Sequence, residues 1–175
     1  MRQENKYART EWERRFLLKH FPHGVSVTRV RRIVDRYITG TSLRLREQSE
    51  GGQRTFKLTQ KLRGAAAGAE QGLITTIYLT RGEFCVLANL PAKILTKTRH
   101  SVPPFGIDAF EGGLSGLVLA EAEFGSRAEA SALAIPSFVV NEITDDARFT
   151  GGNLVGISKQ DLEECLADYG VTLLS

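Results

Sequence analysis

A chain of 175 residues with 42% hydrophobic and 25% charged content has the make-up of a globular protein, and its length suits one compact unit, 1–175, built around its own core. No run of 18 uncharged apolar residues occurs, and the opening MRQENKYART lacks the apolar stretch of a secretory signal; a membrane-spanning helix and an exported precursor are both unexpected, and the default location is cytoplasmic. The net charge of +3 and pI near 9.0 admit an anionic partner, nucleic acid or phosphate, without choosing between them, and Cys85 and Cys165, with no CxxC and no His at ligand spacing, read as buried thiols.

In chain order, period-two alternation of apolar and polar residues predicts strands over 10–18, 35–39, 42–47, 55–62, 73–80, 92–102, 106–111, 116–124 and 141–149. Short helices are expected where a capping residue precedes a suitable run: Thr80 with Glu83, Ser126 with Glu129, and Ser158 ahead of the amphipathic 159–169, which Gly170 can end. GAAAGAEQG (64–72) has too little apolar bulk for a core strand and reads as a mobile connection, while the glycines of EGGLSG (111–116) mark a turn between strands. So many strands in one small unit favour a barrel or a sandwich over an open sheet, because closure removes exposed edges. The strand core is expected at about 10–155, with 156–175 forming a C-terminal helix packed against it.

The polar faces of these strands are segregated by sign. Alternation puts Glu11, Glu13 and Arg15 on one face of the first strand, and Trp12 and Phe16 on the other. Arg44 with Arg46, Lys57 with Lys61, and Lys97 with Arg99 make three cationic faces; Glu121 with Glu123, and Glu142 with Asp146, make acidic ones, and Arg148 shares the last face. Taken singly, each is an ordinary solvent face of a half-buried antiparallel sheet. Like charges side by side repel, however, and a polyanion held through hard divalent cations would use both sets at once. Planar arginine forks suit phosphate oxygens, and paired carboxylates suit the metal.

Glu11-Trp12-Glu13-Arg14-Arg15 resembles the E-x-E-x-K signature of the CYTH superfamily, the triphosphate tunnel metalloenzymes, with arginine in the lysine position. The similarity continues in order through LRLRE (43–47), FKLTQK (56–61), ILTKTRHSV (94–102), DAFEGGLSGLVLAEAEF (108–124) and NEITDDARF (141–149). The resemblance implies a mainly β fold, a closed eight-stranded antiparallel barrel forming a tunnel with a few short helices outside. It implies metal-dependent hydrolysis of triphosphates, with Mg2+ or Mn2+ as cofactor. Arg44, Arg46, Lys57, Lys61, Lys97, Arg99 and Arg148 become substrate-binding candidates. Glu11, Glu13, Glu121, Glu123, Glu142 and Asp146 become candidate metal ligands, and Glu11, Glu13 and Arg15 the catalytic candidates. Inorganic tripolyphosphate is the expected substrate, ATP and thiamine triphosphate being related ones, in a monomer or homodimer with no membrane or nucleic-acid partner. The alternatives are an adenylate cyclase releasing pyrophosphate from ATP, and a non-catalytic polyphosphate- or nucleotide-binding module, for which Arg15 speaks.

Other conspicuous residues read as structural. His20, His23 and His100 are scattered and expected in loops or at strand ends, Gly112, Gly113 and Gly116 are turn glycines, and Arg29, Arg31, Arg32 and Arg36, without interleaved aromatics, read as a solvated edge.

Overall fold

The computed structural model describes residues 6–63 and 71–173. Nine strands form one antiparallel sheet: β1 (Arg9–Leu18), β2 (Arg29–Ile38), β3 (Leu43–Glu50), β4 (Gln53–Arg63), β5 (Gln71–Leu79), β6 (Ala92–Val102), β7 (Phe105–Phe110), β8 (Val118–Phe124) and β9 (Val139–Glu142). Their order is β5-β4-β3-β2-β6-β7-β8-β1-β9, and β5 also pairs with β1, so eight strands close into a barrel and β9 is added outside the ring. One edge of β1 is shared between two partners. Arg9–Trp12 pair with β5, and Phe16–Leu18 pair with β9, while β8 runs along the other edge.

Local chemistry sets the connections. Gly51 and Gly52, at φ of 54° and 84°, form the two-residue turn between β3 and β4, in the left-handed conformations that a tight hairpin demands. Thr80 and Glu83 complete a reciprocal capping box at α1 (Arg81–Leu87), and Ser126 caps α2 (Arg127–Ala132) by accepting from the Glu129 N–H. After α3 (Gly151–Leu154), Ser158 caps α4 (Lys159–Ala167); Gly170, at φ 66°, ends the turn that follows, with its N–H donating to Ala167 and that of Val171 to Leu166.

Two apolar clusters position the cavity. Phe16, Leu18, Ile107, Ala120 and Ala122 lie on the outer face of β1, β7 and β8, covered by Leu133, Phe138 and Val139 from the chain between β8 and β9. The second cluster closes one end of the barrel interior. Leu17, Leu95, Phe110 and Leu119 point inward and meet Phe149, Leu154, Leu162 and Leu166 from the C-terminal segment. Leu162 and Leu166 are fully buried, each worth about 1.5–3 kcal/mol of transfer free energy. The C-terminal helix is thus an end plug rather than a cladding on the barrel wall.

Several expectations need correction. β2 begins at Arg29, because Val30, Ile33 and Val34 carry the strand through arginines that obscure its pattern. It lies between β3 and β6, so its arginines do not form an edge. The strand expected over 141–149 stops at Glu142; Asp146 accepts from the Arg148 N–H and opens a 3-10 turn over Ala147–Phe149. Cys165 is buried as expected, but Cys85 is exposed on α1. Of the expected connection at 64–72, residues 64–70 lie outside the described residues and 71–72 already belong to β5. No helix among the described residues is long and apolar enough to cross a membrane.

Candidate active site

The inward faces of the strands enclose a cavity of about 310 Å³. Its wall carries Glu11, Glu13 and Arg15 from β1, Arg44 and Arg46 from β3, Lys61 from β4, Lys97 and Arg99 from β6, and Glu121 and Glu123 from β8. Alternation along each strand delivers these side chains to one interior, and antiparallel register sets their neighbours: Arg15 lies opposite Glu121, and Glu13 opposite Glu123.

The cations are held from beneath by two buried acids. Asp35, on β2 and 1% exposed, accepts from Arg46 Nε at 2.6 Å and Nη2 at 2.7 Å, with Arg44 Nε 3.7 Å away. Burial pushes the Asp35 carboxyl up, but Arg46, Arg44 and Lys97 outweigh it and keep the group below the ordinary carboxylate range. Asp108, on β7 and 0% exposed, accepts from Arg99 Nε at 2.7 Å and Nη2 at 2.6 Å, and from Lys97. Arg99 also reaches Glu121. Burial opposes the charge on Arg99, yet Asp108 and Glu121 raise its pKa well above the usual value. The buried Arg44 Nε has no hydrogen-bond partner among the described residues.

On the acidic side, Lys61 Nζ sits 3.0 Å from Glu11 and 2.6 Å from Glu13. Desolvation lowers the Lys61 pKa, but Glu13 and Glu11 more than compensate, and the amine stays charged. Glu121 also remains ionised, since Lys97, Arg99 and Lys61 overcome its desolvation and hold it well below the ordinary value. Glu123 behaves oppositely: desolvation, then the charges of Glu11 and Glu121, push its carboxyl up. Arg15, 2% exposed, lies 3.4 Å from Glu13 and donates from Nη2 to the Thr144 carbonyl at 2.7 Å. Its backbone N–H also donates to Thr144 Oγ1, and its carbonyl accepts from Ile143. A lysine in this place would keep the charge but lack the second arm that ties β1 to the segment after β9.

Four expected site residues are elsewhere. Lys57 shares the inward face and lies opposite Arg46, but its amine rests 5.0 Å over the Tyr78 ring and is off the cavity wall. Glu142 pairs with Phe16 in register and is therefore on the outer face, where Arg14 grips it through Nε at 2.8 Å and Nη2 at 2.6 Å. Asp146 and Arg148 bond each other, Tyr169 and Asp168, latching α4 to the 3-10 turn outside the cavity. For Asp146 and Arg148 the cause is the early end of β9, since their inward placement required a continuous strand to 149. His100 faces away from Arg99, as the alternation predicts, and its ring packs at a tilt of 59° against Phe21.

Conversely, Asp35 and Asp108 escaped the sequence reading, which paired charges within strands rather than across them. A lone acid inside the apolar strand FGIDAF was the available signal. Tyr37 was also missed. It lines the cavity with its hydroxyl so close to α3 that a Cβ on Gly151 would lie 2.0 Å from it.

An inorganic triphosphatase of Nitrosomonas europaea is 34% identical over 148 residues, spanning 80% of this chain and 93% of that protein. The chain belongs to the CYTH superfamily of triphosphate tunnel metalloenzymes. A solved structure of an inorganic triphosphatase superposes on this tunnel metalloenzyme with a TM-score of 0.55 at 28% identity, covering 85% of this chain and 96% of the other. A Pyrococcus horikoshii protein shares the fold at 18% identity, with a TM-score of 0.51 and coverage of 94% and 93%. No protein-family profile matches the chain.

Tunnel metalloenzymes imply a divalent metal, and the donor chemistry here fits one. Glu11, Glu13, Glu121 and Glu123 place carboxylate oxygens, the hard donors a divalent cation takes, on two adjacent strands, and burial followed by the Glu11 and Glu121 charges raises the Glu123 carboxyl. As they stand, no three such groups among the described residues converge on one point, because Glu11 and Glu13 turn to Lys61 and Glu121 turns to Arg99.

Proposed function

We propose that this tunnel metalloenzyme hydrolyses inorganic tripolyphosphate to pyrophosphate and phosphate, with magnesium or manganese as the metal. The observation that carries the reading is the set of four cavity cations, Arg44, Arg46, Lys97 and Arg99, anchored on buried Asp35 and Asp108. Such an array is preorganised for a polyanion, since the cations are oriented before the substrate arrives. The name of the Nitrosomonas relative points the same way.

In this reading Arg44, Arg46, Lys97 and Arg99 grip the phosphate oxygens and stabilise charge on the transferring and leaving groups. Arg15, tied to Thr144, adds a fixed positive charge at the carboxylate end. Lys61 pairs with Glu11 and Glu13, and their carboxylate oxygens can orient an attacking water by accepting its hydrogen bonds. Glu11, Glu13, Glu121 and Glu123 would hold the metal. When bound, the metal polarises phosphoryl oxygens and neutralises charge that develops as the anhydride breaks.

The test is release of phosphate and pyrophosphate from tripolyphosphate and from ATP, with each metal and with a chelator, for the wild type and Glu13→Ala. Metal-dependent release from tripolyphosphate that the variant loses supports the proposal. Cyclic AMP from ATP would make the chain a cyclase, and tight binding without turnover would make it a binding module.

A further inference from the structure

Every cation on the cavity wall already has a carboxylate within ion-pair distance: Arg15 has Glu13, Arg44 and Arg46 have Asp35, Lys61 has Glu11 and Glu13, and Lys97 and Arg99 have Asp108. Arg31 does not. It lies directly across from Arg99 in the pairing of β2 with β6, on the same inward face as Asp35. Its Nη2 donates to Ser101 Oγ at 2.7 Å, and its buried Nε has no hydrogen-bond partner among the described residues. Desolvation first, then Arg99 and Arg29, hold its pKa below the ordinary arginine value against the smaller opposing pulls of Glu50 and Asp108.

Two guanidinium groups facing each other across a strand pair repel, and a buried N–H without an acceptor is costly. An oxyanion between them relieves both. Gly106, opposite Ser101, contributes to the geometry: a Cβ there would stand 3.1 Å from Arg99 Cδ and 3.2 Å from its Nε. Bare backbone at this point lets the Arg99 side chain lie flat against β7.

We propose that Arg31, with Ser101 and Arg99, forms an oxyanion subsite adjoining the triphosphate cavity and takes a phosphate group. That group is either free orthophosphate, as the hydrolysis would release, or an additional phosphate of a longer polyphosphate chain. The assignment to product or chain rests on the triphosphatase reading, whereas the binding itself does not.

The experiment is calorimetric titration of the full chain with orthophosphate, tripolyphosphate and tetrapolyphosphate, without metal so that nothing turns over. Wild type is compared with Arg31→Gln and with Arg32→Gln, whose side chain faces outward and pairs with Glu111. A thermal melt of each variant confirms folding. Losing a charge-assisted hydrogen bond should weaken the affected anion at least about tenfold in Arg31→Gln and leave it unchanged in Arg32→Gln. A loss confined to orthophosphate identifies free product as the ligand. A loss confined to the preference for tetrapolyphosphate over tripolyphosphate identifies a chain phosphate. Equal affinities for all three anions in wild type and Arg31→Gln overturn the subsite. Failure of the wild type to hydrolyse tripolyphosphate in the separate activity assay would overturn the triphosphatase reading alone.

Discussion

Replacing Asp108 by Asn removes one negative charge from beneath the cavity while keeping the volume and shape of the side chain. Asp108 is fully buried and accepts from Arg99 at 2.7 and 2.6 Å as well as from Lys97, so the variant leaves two desolvated cations short of their counter-charge. Breaking a buried pair from one side costs about 3–5 kcal/mol. For a domain of this size each kcal/mol moves Tm by about 2–4 °C, which gives a fall of about 6–20 °C. The assay is thermal unfolding followed by circular dichroism at pH 7 in low salt, with and without saturating tripolyphosphate. Because the polyanion supplies charge that the variant lacks, its addition should raise Tm further in Asp108→Asn than in the wild type. A fall of less than about 2 °C, or an equal rise with ligand in both proteins, would refute the claim that Asp108 compensates the phosphate-binding cations.

Arg46→Gln should raise the KM for tripolyphosphate by about ten- to a hundredfold, the scale of one or two charged hydrogen bonds, with steady-state kinetics as the check. Arg148→Ala should leave that KM within about twofold, since Arg148 is engaged with Asp146 and Asp168 outside the cavity. The same variant should alter acid stability. Hydrogen bonding from Arg148 lowers the Asp146 pKa from 3.8 to about 2, so the stabilisation is complete above pH 3.8 and is lost as the pH falls toward 2; melts across that window should show a shallower acid dependence in the variant. Gly151→Ala drives a methyl group into the Tyr37 hydroxyl and should cost about 1–3 kcal/mol in a thermal melt, and combining it with Tyr37→Phe should recover part of that loss.

The barrel was legible because its strands keep strict alternation: 92–102 was predicted to the residue, and the faces carrying Glu11/Glu13/Arg15, Arg44/Arg46 and Lys97/Arg99 all reached the interior. Alternation fails where a polar residue bonds its own backbone. Asp146 did this, opening the 3-10 turn that takes Arg148 out of the site, whereas Glu142 is turned outward by its register with Phe16. Lys57 keeps the alternation and points inward, but its amine turns to the Tyr78 ring and off the wall. The buried acids were hidden for another reason. Asp35 and Asp108 acquire their meaning from residues on neighbouring strands, and cross-strand register is a tertiary property that spacing within a strand does not carry.

The divided edge of β1 bears on how the chain assembles. The strand that bears Glu11, Glu13 and Arg15 is made first, yet its partners are β5, β8 and β9, the last ending at Glu142. On the ribosome its pairing with β8 must wait, since β2, β3, β4 and β5 can zip as successive hairpins long before β8 exists. Its four-residue junction with β5 is available earlier, and pairing with β8 completes the ring at the site itself. Catalytic competence is therefore among the last properties this chain acquires, and a nascent or truncated form lacking β8 and β9 presents the cationic strands without the acidic wall that completes them.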